Sequence, residues 1–557
     1  MAGFFPEKGE SGEEYPPPLI FRNARVSTLD PARPAASVLG TLAGRLLYVG
    51  DDPLEAERET RARLKAGRFP SLKEIESVDL KGLSVLPGLI DSHAHVLHEG
   101  ARLSQLDLGG LSYGDALAAI AAKARDLEPS AWLRGRGWDQ NLYPGRRFPG
   151  KSDLDRVAPS NPALLDRIDK HSLWVNSAAL KRCGVDRGAV APPGGEIVRE
   201  PSGEPSGILV GRAMFLVLDK APPLDGLDPA RTFLSAQREA LGLGLTAVAD
   251  CGSRSADYFL FRELYGAGKG KIRFRTFVVA DPWDEELLKD GPIPARFQGK
   301  LSLDGVKIFS DGSLGSWSAW LSEDYRDRKG RRGDHNYETA ELQEMLRKAK
   351  ERNLQVAIHV IGDAAASQAV AAMGAVLGKR APERRWRLEH FQVASPAIWG
   401  AALELGLIPS IQSVGLMTDL RMAPERLGPE KLRDSYAWGR LRRAGFILVN
   451  GSDAPIESPN PFHGIYAAVT RQDLTGYPPQ GFQKEDALTR EEALWSYTSW
   501  PAWAMGEEAN LGRLAVGKYA DFIAIDRDFW DAPDADLWKI KTLLTVVGGE
   551  RVSGQGF

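Results

Sequence analysis

The chain has 557 residues, 43% hydrophobic and 26% charged, which is the balance of a globular protein and excludes disorder or fibre as its main state. Its 71 basic and 74 acidic residues leave a formal charge of −3 with no long block of one sign, so neither nucleic acid nor a membrane surface is implied and small molecules are the natural partners. The two cysteines, Cys183 and Cys251, are too few for a disulfide framework and fit a reducing, cytoplasmic setting.

Residues 1–18 are acidic and rich in Pro and Gly, and they read as a flexible tail without the basic and apolar regions of a secretory signal. No apolar stretch reaches the roughly 20 residues of a membrane span. Between 19 and 84, strands are expected at Leu19–Val26 and Arg45–Gly50, with a charged helix near Glu55–Ala66. Residues 510–557 have the same texture, with strand-like runs at Gly512–Asp526 and Leu543–Gly549. The two ends are therefore expected to complete one β-sandwich domain.

Residues 85–509 alternate apolar strands with helices, the pattern of a (β/α)8 TIM-type barrel in the α/β class. The strand candidates are Val85–His95, Leu245–Cys251, Ile272–Val279, Leu303–Ser310, Gln355–Ile361, Trp386–Phe391, Leu407–Gln412 and Phe446–Ser452. Helices are expected at Arg231–Leu243, Glu338–Arg352, Ala364–Leu377 and Glu430–Ala444. About 150 residues separate the first two strands, far more than a crossover of a dozen or so needs. An inserted subdomain at about 100–228 accounts for them, with a helix at Tyr113–Leu127 and a hairpin at Gly195–Leu209, and it is expected over the barrel mouth.

The first barrel strand finishes in His93-Ala94-His95, and residues two apart on a strand face the same way, as two ligands of one metal must. The chain holds only eight histidines, and two more, His359 and His390, lie at the ends of the fifth and sixth strand candidates. Asp453 follows the eighth. The carboxyl ends of barrel strands converge on one pocket, so these five residues can share a metal. Imidazoles with one carboxylate suit Zn2+ and tolerate Mn2+, Fe2+ or Co2+. A catalytic ion of this kind acidifies a water, and Asp453 is placed to take that water's proton and pass it to the leaving group. His98, just past the pair, reads as a loop-orienting residue, while His335 and His463 read as surface residues.

Pro87–His95, Val306–Ser316, the strand-five and strand-six histidines, Gly451–Pro455, Ala468–Arg471 and Gly512–Asp526 together resemble the amidohydrolase superfamily, in its family 3 or YtcJ-like branch, from about Leu19 to Gly549. The resemblance implies a metal-dependent hydrolase of amide or related C–N bonds. Its ligands would be His93, His95, His359 and His390, with Asp453 as both ligand and proton shuttle. It also singles out Lys307, whose free amine can add CO2 to give a carbamate that bridges two metals; the plain alternative is a buried lysine paired with an acid such as Asp311. One or two zinc ions are expected, and a homodimer is a family expectation.

Within the insertion, segments around Trp138 and His171 resemble ones that approach the metal pocket in this branch, with Trp138 as an apolar wall and His171 as a donor to a substrate carbonyl; the alternative is that both hold the insertion together. Asp311, Ser313 and Trp317 lie in a Gly/Ser-rich loop after Lys307, where polar side chains would meet a ligand, with anchoring of the loop an equal alternative for Asp311. In strand seven, Ser413 stands where relatives usually carry proline, so a differently shaped pocket wall is expected there. Other chemistry weighed on the same centre is ester or lactone hydrolysis, then a metal-dependent isomerase or lyase, then a non-catalytic binding protein.

Overall fold

Gly88 splits the expected Val85–His95 strand in two. Ser84–Pro87 pairs with Phe522–Ile525 and Arg25–Ser27, whereas Leu89–Ala94 pairs with Leu245–Ser253. A Cβ at residue 88 would lie 2.2 Å from the Thr246 hydroxyl, so the switch between sheets needs glycine. This computed structural model describes residues 15–66, 74–167, 172–192, 195–221, 228–315 and 317–554, so His171 and most of the expected tail lie outside the described residues. Two compact units are present, Leu97–Ser235 and the rest of the chain.

In the larger unit, Leu89–Ala94, Leu245–Ser253, Arg273–Val279, Leu301–Phe309, Gln355–Val360, Arg387–His390, Ile408–Ile411 and Val449–Asn450 follow one another as a nearly closed barrel of eight parallel strands. Backbone bonds join the last strand to the first: Asp453 donates its N–H to His93 O at 2.7 Å, and His95 donates to Ala454 O at 2.8 Å. The lumen is packed by Ile90, Ala247, Ala249, Cys251, Phe277 and Ala357, with Ala502, Met505 and Leu511 in the same cluster. Such small and medium side chains fill a barrel interior without voids.

Helices at Pro229–Gly242, Thr339–Glu351 and Asp363–Leu377 match the 3.6-residue apolar periodicity. The helix expected over Glu430–Ala444 is instead two, Ala423–Arg433 and Trp438–Arg443. Tertiary bonding overrides propensity here, because Tyr436 donates its N–H to Gln392 O at 3.0 Å and takes φ 52°, which no helix tolerates.

The chain ends build two more sheets. One holds Leu19–Arg22, Val38–Leu42, Arg45–Gly50 and Glu76–Asp79; the other holds Arg25–Ser27, Ala35–Ala36, Ser84–Pro87, Phe522–Ile525, Thr542–Val547 and Glu550–Ser553. Phe21, Leu46, Val78, Phe522 and Val546 share one buried cluster, with the Phe21 and Phe522 rings edge to face at 4.8 Å. Of the strand-like run Gly512–Asp526, only Phe522–Ile525 is a strand. Gly512 and Gly517, at φ 84° and 92°, turn the rest, and Leu514 and Gly517 donate to Thr28 O and Leu46 O.

The smaller unit has a six-stranded sheet whose members include Leu133–Trp138, Ala163–Arg167, Ser172–Val175 and the hairpin Gly195–Arg199 with Pro205–Gly211. Its helix Tyr113–Arg125 begins at Ser112, whose hydroxyl accepts from Asp115 N. Among the described residues, no helix is long and apolar enough to cross a membrane.

Candidate metal centre

The carboxyl ends of five strands bring the expected residues together. The Nε2 atoms of His93 and His95 lie 3.3 and 3.1 Å from Asp453 Oδ1, and the donor atoms of these three residues are all within 4.8 Å of one another. His390 packs against His93 and His359, with ring centroids 5.1 and 4.4 Å away. Lys307 Nζ is 3.0 Å from His93 Nε2 and 4.9 Å above the Phe309 ring. Lys307 and His93 are fully buried.

His390 and Asp453 take φ 69° and 57°, in the left-handed region that His and Asp enter more readily than most residues with a side chain. Gly451 approaches so closely that a Cβ there would lie 2.5 Å from His93 N and 2.9 Å from Asp91 Oδ1.

Burial, reinforced by the Lys307 charge, lowers His93 and His359 to about 4, so both rings are neutral with a lone pair free at physiological pH. Burial with the neighbouring His359 also holds His390 well below the usual imidazole value. For Asp453, burial pushes upward but His93, His95 and His390 outweigh it and keep the carboxyl well below the usual carboxylate range. Neutral imidazoles around an ionised carboxylate form an N/O donor set that fits a zinc-type cation.

Orientation comes from residues without an assigned role in the sequence-based reading. Glu389 Oε2 lies 2.6 Å from His93 Nδ1, and an N–H donated there leaves Nε2 as the lone pair facing Asp453 and Lys307. Arg387 donates to the other Glu389 oxygen at 2.7 Å, and with its charge it holds Glu389 ionised against the burial that would raise it. His359 Nε2 sits 3.1 Å from Gly312 O; donation there leaves Nδ1 as its lone pair. One signal for Glu389 is the i, i+2 charge pair Arg387 and Glu389 inside an apolar strand, because buried charges persist only when paired.

Asp311 is buried, and its carboxylate accepts from the backbone N–H groups of Trp320, Ile361 and Gly362 at 3.0, 3.1 and 2.8 Å; burial pushes it up to about 7 against these donors. It thus ties the loop after strand four to the end of strand five. The guanidinium groups of Arg426 and Arg328 lie over the Trp317 ring, 3.8 and 5.0 Å from its centroid, and its indole N–H is on Asp327. Ser313 is exposed, and its N–H donates to Ser318 Oγ. Within the smaller unit, Trp138 is fully buried against Trp174 and Phe148 and donates its indole N–H to Leu165 O at 2.9 Å.

His98 and His335 are exposed, and His335 meets Glu338 at 3.1 Å, whereas His463 is half-buried beside Trp538. Ser413 is buried, with its hydroxyl donating to Gly464 O at 2.7 Å and bonded to Asn450, so it braces strands seven and eight.

Comparison with known proteins agrees with this geometry. Residues 76–553 match the model of the Amidohydrolase family. The chain is 31% identical over 495 residues to YtcJ of Bacillus subtilis, covering 86% of this chain and 90% of that protein. It is 26% identical over 558 residues to the N-substituted formamide deformylase of Arthrobacter pascens, covering 95% and 97%. Among solved structures, an uncharacterized metal-dependent hydrolase from Pyrococcus horikoshii aligns with TM-score 0.72 and 25% identity over 93% of this chain and 99% of that one. A family match over most of the chain, on a barrel with these strand-end residues, means that this protein belongs to the amidohydrolase family.

Proposed function

We propose that the protein is a metal-dependent hydrolase that cleaves a carbon–nitrogen bond other than a peptide bond in a small molecule: an amide, N-acyl compound, cyclic amide or carbamate. The observation that carries this reading is the convergence of the His93, His95 and Asp453 donor atoms within 4.8 Å at the strand ends. The relative named as an N-substituted formamide deformylase supports the bond type.

His93, His95, His359, His390 and Asp453 would hold the metal, with Zn2+ as the first choice and one or two ions accommodated. When bound, such an ion supplies a Lewis acid and an acidified water. Lys307, buried beside His93 Nε2, is the residue that would carry a CO2-derived carbamate between two ions. Asp453 is ionised and so able to accept a proton at Oδ1; it then returns that proton to the departing nitrogen, which leaves as a neutral amine. Glu389 keeps His93 in the tautomer that offers Nε2. His171 and the loop residues Ser313 and Trp317 are the candidates for contact with substrate, while Asp311 and Trp138 act as braces of the loop and of the smaller unit.

The test is a panel of N-formyl, N-acyl, hydantoin-like, carbamate and ester substrates offered to metal-loaded protein. Turnover of one C–N class above the esters is expected. Hydrolysis of the esters alone would overturn the assigned bond.

A further inference from the structure

Arg387 is fully buried in the barrel and spans its interior from strand six to strands one and two. Its Nε donates to Glu389 Oε1 at 2.7 Å, while Nη2 donates to Ser92 O at 3.0 Å and approaches Cys251 Sγ at 3.1 Å. The guanidinium also lies 4.6 Å from the Phe277 ring centroid, which fixes its plane.

One planar group thus holds His93 twice. Through Glu389, whose other oxygen is 2.6 Å from His93 Nδ1, it sets the rotation of the ring. Through the Ser92 carbonyl it sets the peptide that carries His93 on the strand. Lysine has a single ammonium that cannot span both acceptors with fixed geometry, so the residue type matters here.

We propose that Arg387 is a positioning residue that clamps the ring and the backbone of His93, and that metal affinity depends on this clamp. The proposal rests on the metal-centre reading of the site. Partners that orient a ligating histidine typically contribute roughly 10- to 100-fold to metal affinity. A comparison is built into the same barrel: Arg275 is equally buried, but it bonds Ser302 Oγ at 2.9 Å and Glu507 at 2.7 Å, toward the amino end of strand three.

The experiment titrates metal-free protein with Co2+, read by its visible absorption, and with Zn2+ against a chromophoric chelator, without substrate. R387K is expected to lose roughly 10- to 100-fold in affinity and to shift the Co2+ spectrum. R275K is expected to lose thermal stability while keeping the wild-type affinity and spectrum. Wild-type affinity and spectrum in folded R387K, or an equal loss in R275K, would overturn the clamp. E389Q keeps the shape of the side chain but cannot accept from both Arg387 and His93; wild-type metal binding in that variant contradicts the clamp even if R387K fails to fold. A wild-type protein that binds neither ion removes instead the metal-centre reading beneath the proposal.

Discussion

Ser452 is bonded twice to Asp91, its hydroxyl at 2.6 Å from Oδ2 and its N–H at 3.0 Å from Oδ1. Asp91 Oδ1 also accepts the His93 N–H at 3.0 Å, so one buried carboxylate ties the first strand to the eighth directly beneath His93 and Asp453. The spacing of those two residues follows from this seam.

Removing the seam's hydroxyl should therefore cost stability and spacing together. S452A is expected to lose about 1.5–3 kcal/mol, the usual worth of a hydrogen bond to a charged group. Urea unfolding of the metal-free protein measures it, and a loss under about 0.5 kcal/mol would contradict the seam, being no more than a neutral surface change produces.

Asp453 is assigned the proton transfers, and D453N keeps the shape of the side chain but not its basicity. A fall in kcat on the order of 10^2–10^4 is expected, with KM far less affected. Steady-state kinetics on any substrate found in the panel checks this, and a kcat within tenfold of wild type would remove Asp453 from the role.

A third prediction concerns pH. Burial raises Asp419 from 3.8 to about 6, against hydrogen bonds from Tyr436 and Gln392 at 2.8 and 2.9 Å. Between these two values the folded protein holds a proton that the unfolded chain has released, so this group's contribution to stability falls as pH rises from about 4 to 6. D419N cannot ionise. It should match wild type near pH 4 and exceed it above pH 6 by about 3 kcal/mol. Urea midpoints at the two pH values decide the matter, and parallel pH profiles for the two proteins would refute the assignment.

The barrel was legible because its strands are apolar runs of the right length, and because scarce histidines mark the ends of three of them. The broken helix at Glu430–Ala444 was not, since its break depends on a bond from Tyr436 to Gln392 O across loops. Asp91, Arg387 and Glu389 stood in view within the strand sequences. Their roles arise from cross-strand distances that no local periodicity encodes, whereas the metal-binding residue types announce their chemistry wherever they fall. Asp311 is readable in the sequence either as a ligand contact or as a loop anchor, and only the three backbone N–H groups that donate to its carboxylate favour the anchor.

Metal held at His93, His95 and Asp453 is what the proposed hydrolysis of a C–N bond requires. The decisive measurement is the rate of amine release from an N-formyl or N-acyl substrate before chelation, after chelation and after stoichiometric return of Zn2+ or Co2+. Activity that chelation abolishes and the ion restores is expected, together with a metal content of one or two ions per chain. Undiminished amine release from protein shown to be free of transition metal would contradict a metal-dependent reaction at this site.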